Sequence, residues 1–183
     1  MFLLNFFWAV GLANRNRLLT RGPMMQGGLS RISGYASTGG WTLGARPVLG
    51  MYASLPLVTV NEAQQARLDH VASGVFRPCC DNPTSFPDCN HGMAMLGLLT
   101  LVAAQADEAN ALFAAAKTAN RFWFPDAAST VAAYVKATRG IEYADLDGRE
   151  ANGAELFSGS GYRRVAAWAT PRGGPRSSGG LSC

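Results

Sequence analysis

Between Gly92 and Ala104 the chain reads GMAMLGLLTLVAA, with no charge and with apolar residues on every side of a helical wheel. A helix that is apolar all round is covered by neighbours, and thirteen residues fall short of the ~20 needed to cross a bilayer. The pattern therefore predicts a central buried helix over 90–104, capped by Asp88 or Asn90, with Met95, Leu98, Leu99 and Val102 inside.

Three further helices fit around it. Thr59-Val60-Asn61-Glu62 has the form of a capping box, and Ala63, Ala66, Leu68, Val71 and Val75 give an amphipathic face, so a helix over 60–73 should stop at Gly74. Asp107 and Glu108 open a third helix over 107–122, where acids complement the positive end of the helix dipole. Pro125 suits the first turn of a fourth, over 126–139, stopped by Gly140. A short helix from Tyr162 to Trp168 follows a polar stretch over 141–160, and Phe122, Trp123, Phe124 and Trp168 read as core. No hairpin signal and no internal repeat interrupt this order. The expected fold class is all-α: a small helical bundle over 57–170, with a Cys/His-containing loop before its central helix.

The flanks read differently. Met1–Ala13, MFLLNFFWAVGLA, is apolar apart from Asn5 and is followed by Arg15 and Arg17. It is too short to span a bilayer and has its charges on the wrong side for a cleaved leader, which leaves an interfacial segment or a poorly ordered end. Residues 20–56 are rich in Gly, Ser and Thr, hold Pro23, Pro47 and Pro56, and follow neither a helical nor a strand period, so 1–56 is expected to be an apolar segment plus linker. The tail over 171–183 reads as disordered.

Charge sharpens the division. Residues 1–56 carry five arginines and no acid, 57–170 carry nine basic and twelve acidic groups, and 171–183 carry two arginines. The net of +4 thus belongs to the ends. The helical part is mildly acidic and lacks a basic stripe interleaved with aromatics, which argues against a nucleic-acid partner.

The candidate chemistry lies just before the central helix, in FRPCCDNPTSFPDCNHG. Three of the four cysteines, Cys79, Cys80 and Cys89, fall within eleven residues, and His91 follows. Pro83 and Pro87 stiffen the loop that must bring the sulfurs together. Thiolates with an imidazole form the ligand set of a Cys3His site for zinc or copper, although adjacent cysteines depart from the usual zinc spacing and need a turn at Cys79-Cys80. The same atoms suit thiol–disulfide exchange, with one of Cys79 or Cys80 paired to Cys89 and the other sulfur attacking that bond. An inert disulfide is the third reading, contributing roughly 2.7 kcal/mol for a loop of about ten residues. Cys183 stands alone in the tail.

The run RPCC, then NPTSFPDCNHGMAMLGLL, a helix and RFWFP, is similar to an uncharacterised group of bacterial proteins over about residues 57–168. More remotely, a cysteine motif followed by helices resembles the membrane-anchored periplasmic thiol reductases of cytochrome c maturation. That family carries Cys-x-x-Cys, whereas here the cysteines are adjacent and a third lies farther on. The resemblance implies thiol roles for Cys79, Cys80 and Cys89, with a protein thiol or disulfide as partner; the basic, apolar N-terminus is what points to a cell-envelope location and membrane association.

Weaker signals fail on their own terms. Asp145-Leu146-Asp147-Gly148 has the form of the opening of a calcium loop, but Tyr143 and Ala154 would occupy its first and twelfth ligand positions. Ser158-Gly159-Ser160-Gly161 lacks the preceding strand of a phosphate loop. His70 falls on a solvent face.

Overall fold

Helix α6, Asn90–Ala103, is the axis of the protein in the computed structural model, which describes residues 2–39 and 47–170. Met93, Ala94, Met95, Leu96 and Leu99 are buried along it, while Leu98 and Val102 are half-buried against the same core. The protein is all-α: among the described residues there is no strand, only an isolated bridge between Asn14 and Leu55.

The helix packed most extensively on α6 is α1, Phe2–Ala13. Glycine makes that packing possible. A Cβ at Gly97 would lie 2.0 Å from the Phe7 carbonyl oxygen, and one at Gly11 would lie 2.1 Å from that of Met93, so the two backbones touch where side chains would otherwise hold them apart. Trp8, Leu12, Leu18, Leu19, Met24 and Ile32 are buried in one core with Leu68, Leu99 and Phe113. Polar ties reinforce the junction: Trp8 Nε1 donates to Ser37 O at 2.9 Å, and Asn16 Nδ2 to Thr100 Oγ1 at 3.2 Å.

The N-terminal segment therefore differs from its sequence reading. Residues expected to be an apolar segment and linker form α1, α2 (Arg17–Arg21), α3 (Gly28–Ile32) and α4 (Ala36–Gly39), and they pack onto the helices expected over 57–170. Arg17 bonds Asp69 at 2.7 Å and Glu62, which fastens this segment to α5, Glu62–Gly74. The α5 cap also shifts: Asn61 and Gln64 form the capping box, two residues after the expected Thr59 and Glu62.

Helices α7 (Ala109–Trp123) and α8 (Pro125–Arg139) agree with expectation to within a few residues, with Pro125 opening α8 and Gly140, at φ 72°, closing it. The stretch over 141–160 is not simply polar loop. It holds α9, Gly148–Ala151, and α10, Ala154–Phe157, and α11 runs Gly159–Ala169, longer than the expected 162–168. Asp147 caps α9 by accepting from Arg149 and Glu150 N–H groups. These elements and α8 enclose a second core around Val131, Val135, Leu146, Phe157 and Val165. Among the aromatics read as core, Phe124 is buried and Trp123 half-buried, but Phe122 is 79% and Trp168 47% exposed. The tail over 171–183, including Cys183, lies outside the described residues.

Candidate metal centre

The cysteine loop folds back on the end of α5. Thr84 N–H donates to Val75 O at 2.8 Å and Ser85 N–H to Ala72 O at 2.9 Å, so the segment carrying Pro83 and Pro87 returns to where Cys79 and Cys80 leave. Cys80 N–H reaches Arg77 O at 3.4 Å, supplying the turn that adjacent cysteines need. On the far side, Gly159 N–H donates to Cys80 O at 2.7 Å, and Asp81 Oδ1 accepts from Ser160 N–H at 2.6 Å. The first turn of α11 thus holds the cysteine pair in place. That backbone hydrogen bond is also the largest reason the Asp81 carboxyl sits below its ordinary range.

The sulfurs of Cys79, Cys80 and Cys89 converge, all within 4.8 Å of one another, and this cluster could hold a metal ion. Cys79 Sγ and Cys89 Sγ are 3.9 Å apart, far beyond the ~2.05 Å of a disulfide. Cys89 is buried, and Cys79 and Cys80 are half-buried, so the cluster opens towards solvent on the side of the pair.

Cys89 itself is the N-cap of α6, where Asp88 or Asn90 was expected. Its Sγ accepts from Gly92 N–H at 3.4 Å and from Arg77 Nε at 3.0 Å. Both contacts favour a thiolate, one through the helix terminus and one through a full positive charge. Arg77 is 2% exposed. Its Nη2 bonds Asp88 Oδ1 at 2.9 Å and Phe86 O at 3.2 Å, and its guanidinium lies where a Cβ on Gly92 would be, 2.6 Å away. Burial works against its charge, but Cys89, Cys80 and Asp88 outweigh that and hold it protonated above its ordinary value. The missed signal was an arginine in an otherwise uncharged approach to three cysteines.

Neighbouring groups complete the electrostatics. Contact with Cys79 pulls the Cys80 thiol down, while contact with Cys89 and burial push harder the other way, for a net rise. Burial raises Asp88, with Arg77 and the Asn82 amide, 2.8 Å away, opposing. His91 stands outside the convergent set, a correction to the Cys3His geometry. Its ring packs at 4.6 Å on Phe124 and 6.2 Å on Trp123, and burial lowers its pKa. His70 is exposed beside Arg149, as its helical position implied.

No family model, curated protein or solved structure matches the chain. The reading of the site rests on its chemistry.

Proposed function

We propose that this protein binds a borderline divalent transition-metal ion, zinc first, through the thiolates of Cys79, Cys80 and Cys89. The observation that carries the reading is the convergence of three sulfurs around one point. With sulfur about 2.3 Å from zinc, a tetrahedral edge is about 3.8 Å, and the Cys79–Cys89 separation is 3.9 Å. Charge favours a divalent ion as well. Counting the Asp88 carboxylate with the three thiolates, a divalent ion and the Arg77 guanidinium leave one negative charge over, whereas monovalent copper would leave two. Three protein ligands with an open side leave the fourth position to water or an incoming ligand, the arrangement of zinc sites that exchange or react.

Elemental analysis beside a thiol count tests this. Protein purified under reducing conditions should carry about one ion per chain, and Cys89→Ser should carry none. A metal-free chain with four titratable thiols would overturn the proposal.

Thiol–disulfide exchange is the second reading, favoured by the 3.9 Å approach of Cys79 to Cys89 and by the thiolate-stabilising contacts on Cys89. In that reaction the two thiols are oxidised to a disulfide while a partner's disulfide takes their two electrons and two protons and leaves as two thiols. A reversible loss of two thiols in oxidised glutathione, with no metal at any stage, would select it.

A further inference from the structure

An apolar groove lies on the α1 side of the bundle. Leu3 and Phe7 of α1, Leu98 of α6, and Ala119, Phe122 and Trp123 of α7 line it, around a volume of about 340 Å³, and no charged side chain does so. Ring contacts extend the surface, since Phe2 packs on Phe6 and Phe6 on Phe7. Its rim protrudes: Phe2 is 79%, Leu3 60%, Phe6 46% and Phe122 79% exposed. Contiguous apolar surface of this kind marks an interaction site on a water-soluble fold.

We propose that this surface docks the protein onto an anionic lipid surface, with Phe2, Leu3, Phe6 and Phe122 entering the headgroup region and no segment crossing the bilayer. Among the described residues no helix is long and apolar enough to cross one. Area decides against a second copy of the chain. With an aromatic side chain offering about 150–250 Å², the four exposed side chains present about 500 Å², short of the roughly 800 Å² per partner that a stable dimer buries. Charge points the same way. Residues 2–39 carry four arginines and no acid; among the described residues Arg17 is the one of these paired with acids, and Arg15, Arg21 and Arg31 are exposed. Arg121 is exposed next to Phe122. Two copies would bring like charge together, whereas anionic headgroups attract it. Trp123, on the groove, packs 6.2 Å from His91.

Vesicle co-sedimentation of the full chain tests the proposal, using phosphatidylcholine vesicles with and without phosphatidylglycerol. The wild type should sediment with the anionic vesicles and at least about tenfold more weakly with the neutral ones. The triple variant Phe2→Ser, Phe6→Ser, Phe122→Ser and the triple variant Arg15→Gln, Arg21→Gln, Arg31→Gln should each lose at least about tenfold in binding. A wild type left in the supernatant with both compositions would overturn the proposal. So would a phenylalanine variant that binds as the wild type does, or light scattering that finds a dimer which this variant dissociates. Circular dichroism confirms that each variant folds. Metal content is read separately, so failure of the lipid proposal and failure of the metal proposal remain distinguishable.

Discussion

Arg77 Nε lies 3.0 Å from Cys89 Sγ, a buried guanidinium donating to a buried sulfur at the first turn of the central helix. The pair makes sense of an otherwise costly arrangement. A buried arginine with only Asp88 to balance it would gain little, but beside a thiolate cluster it offsets charge that would resist burial. Arg77→Met should therefore lower zinc affinity by about 10–100-fold, as loss of an outer partner of a metal ligand does. It should also cost about 3–5 kcal/mol by leaving Asp88 without its buried counter-charge. Arg77→Lys keeps the charge and should retain part of the affinity. Competition against a chromophoric chelator reads the first effect and urea unfolding the second; full affinity in Arg77→Met would remove the arginine from the site.

The approach of α1 to α6 gives a second prediction. A methyl group at Gly97 would meet the Phe7 carbonyl at 2.0 Å, and neither helix backbone can yield without withdrawing Trp8 and Leu12 from the core. Gly97→Ala should cost about 3 kcal/mol, the upper end of overpacking. Gly50→Ala, with open space around its Cβ, should stay within about 0.5 kcal/mol. Equal melting temperatures for the two variants would mean that α1 contributes nothing to stability. Leu99→Ala, at a fully buried position, should cost about 2–5 kcal/mol by the same measurement.

A third prediction concerns how the site is supported from behind. Asn152, 1% exposed, donates to Phe113 O at 3.0 Å and Gly148 O at 2.6 Å, and its Oδ1 accepts from Asn120 Nδ2 at 2.8 Å. Its carbonyl takes Phe76 N–H at 2.8 Å, and Asn120 Nδ2 also reaches Phe76 O at 3.1 Å. Phe76 immediately precedes Arg77. Asn152→Ala removes one of the two contacts of Asn120 Nδ2 and the side-chain donor to Phe113 O and Gly148 O, which should cost about 1–3 kcal/mol and loosen the segment that leads into Arg77. Urea unfolding and chelator competition should both move; a change in stability alone would detach this network from the site.

What could be read from sequence followed local chemistry. The uncharged run identified α6, and clustered cysteines with two prolines were enough to expect convergence of Cys79, Cys80 and Cys89. What was missed depends on distant neighbours. The tight seat of α1 rests on Gly11 meeting Gly97, two residues with no side chain to reveal a pattern. Phe122 was assigned to the core because its run is aromatic, yet its position on α7 turns it outward while Phe124 turns in. His91 shares the first turn of the helix with Cys89, but its ring packs on Phe124 and Trp123 and it is not one of the convergent set.

The last prediction tests the clamp that α11 places on the cysteine pair. Cys80 is half-buried on an irregular stretch, and its backbone is fixed by Gly159 N–H from one side and Arg77 O from the other. A Cβ at Gly159 would sit 3.1 Å from the Cys80 carbonyl carbon, so Gly159→Val must push the Cys79–Cys80 turn away from Cys89. Asp81→Ala removes the acceptor for Ser160 N–H and frees the same turn more gently. If the three sulfurs act as one site, zinc affinity should fall about tenfold or more in Gly159→Val and by less in Asp81→Ala. Glu155→Gln, which breaks only the exposed pair with Arg164, should leave affinity unchanged. Unchanged affinity in Gly159→Val would mean that Cys80 is not a ligand.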